Sequence, residues 1–223
     1  AILASLAFHT KVTDADVYRE GITKISAHDI HVAKDMGLVI KLLAIAEQND
    51  DNEVAVRVHP TLISKNHPLA SVRGSFNAVF VEAESAGELM FYGRGAGGTP
   101  TASAVLGDLV AVARNLMADS TAPATSDYAQ LKVANIGHCK TRYLIRLDVA
   151  DKPGVLANVA STFAANSVSI HTVRQKGRGD DADLTIMTHR ATEEALSKTV
   201  KALDALDVVR NVASVIRVEG QIE

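Results

Sequence analysis

The feature that most constrains the fold is the turn at residues 151–154, Asp-Lys-Pro-Gly, which joins an alternating apolar run to a helical pattern. Tyr143, Ile145 and Leu147 alternate before the turn, as in a half-buried strand. Apolar residues recur at helical spacing after it, at Val155, Leu156, Val159 and Phe163. Strand-like runs at 168–173, 184–188 and 208–218, with a helical pattern at 196–206, complete a βαββαβ order. The last third of the chain is therefore predicted to be a ferredoxin-like sandwich.

The turn itself has two interpretations. Its backbone N–H groups lie at a helix N-terminus, where they can hold a small carboxylate. Alternatively it is a plain tight turn, in which Gly154 supplies a positive φ or close backbone packing. Its place between the first strand and the first helix of a βαββαβ unit favours a ligand site.

The first half of the chain predicts a sheet. Its strand-like runs are 38–47, 53–59, 75–84 and 88–92, and Asn-Asp-Asp-Asn at 49–52 and Ser-Ala-Gly at 85–87 connect two pairs as hairpins. These runs predict about four strands in one partly antiparallel sheet. Ser26 and Asp29 form a capping-box pattern, which predicts a helix over 27–36 that ends at Gly37. The fold class is α+β.

A glycine-rich loop at 93–100, Gly-Arg-Gly-Ala-Gly-Gly-Thr-Pro, precedes a long helical pattern. Thr99 is the predicted N-cap, Pro100 the first helical residue, and the predicted buried stripe comprises Val105, Leu109, Val112 and Leu116. Amides at a helix N-terminus attract phosphate or carboxylate groups. The loop lacks the lysine of a P-loop, so its residues alone leave ligand contact and a plain turn both open.

Composition narrows the classes of function. The chain has 223 residues, 47% apolar and 22% charged, with a net charge of -3, which argues against nucleic acid as a partner. Cys139 is the single cysteine, so no internal disulfide can form and a reducing cytoplasm is expected. No apolar run approaches the roughly 18 residues of a membrane span.

No metal or catalytic cluster is predicted from the side chains. His28 and His31 are a helical pair without a third converging ligand, so a solvated or capping role is favoured over metal binding. Lys34 and Lys41 could pair with substrate carboxylates, but no pattern converges on them.

Residues 119–140 have lost periodicity, and 120–126 have the composition of a linker. The predicted domains are therefore 1–118 and 141–223, joined by a linker over 119–140.

Two family resemblances follow from these motifs. Residues 141–220, with the Asp-x-Pro-Gly-Val-Leu turn and a Val-Ser-Ile strand at 168–170, resemble an ACT domain, an amino-acid-binding regulatory module. The first 118 residues resemble the C-terminal part of the catalytic region of bacterial homoserine dehydrogenase. The matching motifs are at residues 2–8, 40–44, 67–70, 76–81 and, above all, 95–102.

The resemblance implies an oxidoreductase that interconverts L-homoserine and L-aspartate 4-semialdehyde with NADP or NAD, in threonine, methionine and isoleucine biosynthesis. In that family the glycine loop approaches the cofactor, which implies a role for Gly97 with its neighbours Gly95, Ala96 and Gly98. The ACT domain implies feedback control by an amino acid, threonine before isoleucine. The implied effector site comprises Asp151, Gly154, Val155, Leu156 and Asn158. The resemblance also implies a homo-oligomer that pairs through the sheet and the ACT domains.

The family's Rossmann portion and catalytic residues are expected to precede Ala1, which begins inside a helix-like segment. The chain is therefore expected to be a fragment, to which no cofactor binds tightly. Two further functions compete with the dehydrogenase: a stand-alone amino-acid-sensing ACT module and, with less support, a phosphate-binding protein that uses the loop at 93–98.

We expect the purified 223-residue chain to show no dehydrogenase turnover, because hydride transfer needs a cofactor held against the substrate and a proton donor within reach. The measurement is NADP- and NAD-dependent oxidation of homoserine. Turnover above the rate without enzyme would contradict the expectation.

Overall fold

The computed structural model describes residues 1–121, 128–177 and 182–220. Its helices are α1 (Ile2–Phe8), α2 (Ala27–Asp35), α3 (Gly98–Met117), α4 (Val155–Ala165) and α5 (Glu193–Asp204). Its strands are β1 (Tyr18–Arg19), β2 (Leu38–Gln48), β3 (Val54–Ser64), β4 (Phe76–Ala83), β5 (Gly87–Arg94), β6 (Lys140–Val149), β7 (Ile170–Lys176), β8 (Ala182–Thr188), β9 (Ala191–Thr192) and β10 (Val209–Val218). The contacts divide the chain into two compact units, residues 65–125 and the remainder.

The larger unit is built on one mixed sheet. Strands β10, β6, β8 and β7 are antiparallel neighbours in that order, which is the order 4-1-3-2 of a βαββαβ sandwich. β3 extends this sheet by pairing parallel to the end of β10, at Thr61 and Leu62, and parallel to β1, at Arg57 and Val58. On its other side β3 pairs along its whole length with β2. The C-terminal sandwich and the N-terminal strands thus share one sheet.

Both faces of the sandwich sheet are covered. Alternate residues of β6, including Ile145 and Leu147, pack with α4 and α5 in the larger core. Leu144 points to the opposite face and packs with Val32 and Ala33 of α2. Successive side chains of β6 point to opposite faces of the sheet, so the strand contributes to two cores, one on each side.

A buried ionic cluster links the sandwich to the N-terminal strands. Arg217 of β10 donates to the carboxylate of Glu193 at the start of α5, and its Nη1 lies 2.8 Å from Oε2 of Glu20, which directly follows β1. The hydroxyl of Tyr143 donates to Glu193 at 2.7 Å. Burial raises the pKa of Tyr143, and the neighbouring Glu193 carboxylate adds to the rise. Burial alone would lower the pKa of Arg217, but the hydrogen bond and negative charge of Glu193, together with the hydrogen bond to Glu20, outweigh this and raise it.

His59 of β3 is fully buried beside this cluster. Its Nδ1 lies 2.9 Å from Oγ1 of Thr61, which in turn donates to the His59 carbonyl, so Nδ1 carries the proton. Nε2 is buried without a hydrogen-bond partner among the described residues. Burial, followed by the charge of Arg217, lowers the pKa of His59 to about 4.

The smaller unit contains β4, β5 and α3. β4 and β5 form an antiparallel hairpin in which Phe76 is paired with Arg94. The ring of Phe76 stacks on Tyr92 at 4.9 Å, and the Arg94 guanidinium lies 4.9 Å from the Phe76 ring centre. No helix within the described ranges is long and apolar enough to cross a membrane.

Several local predictions are confirmed. The capping box of Ser26 and Asp29 opens α2, and Gly37 follows its end with φ 71°. All four predicted strands of the first half and all elements of the βαββαβ unit are present. Residues 132–134 of the predicted linker pair with the start of β3: the amide of Val54 donates to Lys132, and its carbonyl accepts from Ala134. The compact units end at other residues than the predicted domains, whose boundaries stay a prediction.

Three predictions are wrong. The first-half strands do not form one four-stranded sheet, because β2 and β3 join the large sheet whereas β4 and β5 pair only with each other in the described chain. The N-cap of α3 is Gly97, not Thr99, so Pro100 is the third helical residue, where its missing N–H is still harmless. Side chains predicted to be buried are exposed because no described residue covers them: Val105, Leu109, Val112 and Leu116 on α3, and Leu156 on α4.

The pKa of His59 predicts a pH dependence of stability. The unfolded chain takes up a proton near pH 6.5, whereas folded His59 does so only near pH 4. Stability from this group is therefore complete above pH 6.5 and is lost as the pH falls toward 4, by about 3 kcal/mol. Urea unfolding at several pH values measures the free energy of unfolding. As the pH falls from 7 to 4, this free energy should decrease less for His59→Gln than for the unsubstituted chain.

The matched control is His171→Gln, because His171 is exposed. It should retain the pH dependence of the unsubstituted chain. Equal slopes for His59→Gln and the unsubstituted chain between pH 4 and 7 would contradict the assignment.

Candidate functional site

The turn between β6 and α4 has the geometry of a helix N-terminus that opens to solvent. Gly154 is the N-cap of α4 with φ 90° and ψ -15°. A Cβ built on Gly154 meets no atom within 4 Å. Glycine is therefore favoured by the left-handed backbone and not by crowding, and space for a ligand lies directly above it.

The backbone amides of the turn are used unequally. The N–H of Lys152 donates to Ala150 at 3.0 Å, and that of Val155 donates to Lys152 at 3.3 Å. The N–H of Asn158 makes the first helical bond, to Gly154. The amide of Leu156 lies in the first turn, where an α-helix supplies no carbonyl for it. Leu156 is thus better placed than Val155 to offer a backbone donor to a carboxylate.

The side chains of the predicted effector site fall into two groups. Asp151, Leu156 and Asn158 are exposed around the turn, whereas Val155 is buried in the core and anchors the helix. The Asp151 carboxylate accepts from Nε2 of Gln175 in β7, at 2.9 Å. Gln175 escaped the sequence analysis because only the pairing of β7 in the folded sheet brings it to the turn, 24 residues from Asp151.

The glycine loop between β5 and α3 lies in the smaller unit. The amide of Gly95 donates to the Ser75 carbonyl at 3.3 Å. A Cβ on Gly95 would lie 2.0 Å from Nδ2 of Asn77, so this position requires glycine or a shift of Asn77. Gly97, the N-cap of α3, has φ 124°, and its carbonyl accepts from the amide of Thr101. Ala96 and Gly98 are exposed beside it.

An open, mainly apolar depression of about 740 Å³ adjoins this loop. It is lined by Gly97, Gly98, Thr101, Ala102, Val105 and Leu106. The N-terminus of α3 has no side-chain cap and no acidic residue in its first turn. The loop can therefore receive a flat or apolar group against the backbone, beside amides that favour negative charge.

The histidines and lysines noted in the sequence are not gathered into a site. Nε2 of His28 lies 3.1 Å from Asp183, and Nε2 of His31 lies 3.8 Å from Asp35. Lys34 is exposed on α2, and Lys41 lies in β2. Within residues 1–121, 128–177 and 182–220, no three His, Cys, Asp or Glu side chains converge as metal ligands do.

Comparison with known families assigns both parts of the chain. Residues 1–110 match the family model described as homoserine dehydrogenase, and residues 143–208 match the ACT domain. The glycine loop lies in the first match, and the Asp151 turn in the second.

Individual relatives agree with these matches. A homoserine dehydrogenase of Mycobacterium tuberculosis is 56% identical over 99% of this chain, which covers 52% of that relative. One from Bacillus subtilis is 38% identical over 99% of the chain and 52% of its own length. A crystal structure of the Thiobacillus denitrificans homoserine dehydrogenase superposes with a TM-score of 0.90 at 35% identity, over 98% of this chain and 51% of that one.

The chain thus spans about half the length of the curated relatives it matches. Its two matched segments occur in the order of a catalytic-region segment followed by a regulatory domain. The chain belongs to the homoserine dehydrogenase family and carries an ACT domain in its C-terminal part.

Proposed function

We propose that the chain serves an NAD(P)-dependent homoserine dehydrogenase, which interconverts L-homoserine and L-aspartate 4-semialdehyde. The observation that carries the proposal is the 56% identity, over 99% of the chain, to relatives of that name. Within this activity the chain contributes two surfaces, the glycine loop and the ACT domain.

The glycine loop would face the nicotinamide cofactor. Gly97 offers backbone without a Cβ, and Gly95, Ala96 and Gly98 are exposed around it. The apolar depression beside the loop could accept one face of a planar ring. Whether the cofactor is NADP or NAD depends on residues that contact its ribose.

The ACT domain would bind an amino acid, and we propose threonine, at the Asp151 turn. The Leu156 amide and the N-terminus of α4 would receive the carboxylate, since both favour negative charge. The exposed side chains of Asp151 and Asn158 are the proposed polar contacts of the ligand. Gly154 would allow the ligand to approach the backbone, because nothing lies within 4 Å of its missing Cβ.

A second candidate function is a stand-alone amino-acid sensor. The observation that favours it is the complete βαββαβ unit, with its strand order and its core in place. Threonine binding by this chain is required by the sensor and compatible with the enzyme, whereas only the enzyme requires a cofactor contact at Gly97.

Subunit pairing is a further part of the proposal. The family resemblance implies a homo-oligomer, and β2 and β7 are the strands at the two edges of the large sheet. Sedimentation velocity distinguishes the alternatives: a dimer or larger species is expected, and a homogeneous monomer at micromolar concentration would count against pairing.

The proposed compartment is the cytoplasm.

The placement of the effector predicts the effect of a charge at Gly154. Gly154→Asp should weaken threonine binding by about tenfold or more, because the new carboxylate repels that of the ligand. Isothermal titration calorimetry on the 223-residue chain measures the affinity. The helix dipole favours an Asp at the N-cap, whereas the positive φ of this position strains any side chain, so the control must carry the same strain.

Gly154→Asn is the matched control, since asparagine has nearly the same size and tolerates a left-handed backbone. It should weaken binding less than Gly154→Asp does. Unchanged threonine affinity in Gly154→Asp would refute the placement.

A further inference from the structure

Helix α2 packs on one face of the ACT sheet, and polar contacts connect each of its ends to the strands. Near its start, the buried Asp29 pairs with Arg146 of β6 at 3.3 Å, and His28 lies 3.1 Å from Asp183 of β8. At its end, Oδ2 of Asp35 lies 2.6 Å from Nζ of Lys176 in β7. The helix belongs to the segment that matches homoserine dehydrogenase, and the strands belong to the ACT domain.

The two ends of α2 differ in how firmly they are held. The side chains of Asp29 and Arg146 are 2% and 12% exposed, and the Asp29 carboxylate also accepts from Ser26. Those of Lys176 and Asp35 are 65% and 35% exposed. Exposed ion pairs contribute little to stability, whereas breaking a buried pair is costly. The start of α2 is therefore a fixed anchor, and its end is a contact that can be released.

The releasable contact lies next to the proposed effector site. Gln175 donates to Asp151 of the turn, and Lys176 is the following residue of β7. Gln175 is paired with Leu184, whose side chain belongs to the core under α4 and α5, whereas Lys176 is paired with Asp183. Adjacent strand residues point to opposite faces, so β7 reaches the ligand turn with one side chain and α2 with the next.

We propose that β7 transmits effector binding from the ACT turn to α2. The ligand's ammonium group would compete with Gln175 for the Asp151 carboxylate, which gives the differential contact that coupling requires. The end of β7 then shifts, and this shift changes the ion pair between Lys176 and Asp35. α2 leads through Gly37 into β2, so the change enters the dehydrogenase segment of the fold. The inference rests on amino-acid binding at the turn.

The test is hydrogen exchange, followed by mass spectrometry, on the 223-residue chain with and without L-threonine. Calorimetry on the same samples establishes that the site is filled. Threonine should change the exchange rate of amides in the last turn of α2 by about fivefold or more, the lower end of typical allosteric coupling. In Lys176→Met, threonine should still bind, but this change should disappear.

Lys201→Met is the matched control, because Lys201 is an exposed lysine on α5. It should retain the response of α2. Threonine binding with unchanged exchange in α2, or an undiminished response in Lys176→Met, would overturn the coupling alone. Absence of threonine binding to the unsubstituted chain would overturn both the coupling and the proposed effector site.

Discussion

The buried pair of Arg217 and Glu193 is the constraint on which the larger unit depends. It connects β10 to the start of α5, and Glu20 and Tyr143 share its charge and hydrogen bonds. Removing one partner from such a pair leaves an uncompensated buried charge, at a cost of about 3 to 5 kcal/mol. This cost keeps β10 in register, and β10 is the strand that joins the ACT sheet to β3.

The turn proposed to bind the effector and helix α2 lie on opposite faces of that shared sheet. β6 and β8 bring the turn, α4 and α5 to one face, and the same strands offer Leu144 and Met187 to α2 on the other. The proposed amino-acid site therefore adjoins a sheet that continues into the segment that matches homoserine dehydrogenase. Communication between the ACT domain and residues 1–64 needs no separate linker, because this part of the first matched segment packs in one unit with the ACT domain.

Local chemistry made much of this fold predictable. The alternation of Ile145 and Leu147, the cap at Ser26 and the glycine of the Asp151 turn each specify a structure within a few residues. Contacts between distant residues were not predictable, since Gln175 reaches Asp151 only after β7 has paired with β8. The pairing of Arg217 with Glu193 was not predictable either, because the two residues are 24 positions apart and meet only when β10 and α5 pack together. The apolar residues of α3 were predicted to be buried although they are exposed. Helical spacing identifies an apolar face, but it does not show what covers that face.

The most direct test of the shared sheet is the stability of Arg217→Met beside that of Arg19→Met. Arg19 of β1 is exposed and contacts Asp14 through an ion pair and a hydrogen bond to its carbonyl, so it controls for the loss of an arginine. The account predicts that Arg217→Met loses about 3 to 5 kcal/mol in urea unfolding. It also predicts that β3 and β6 lose hydrogen-exchange protection together. A loss no larger than that of Arg19→Met, or exposure of β6 with β3 still protected, would contradict it.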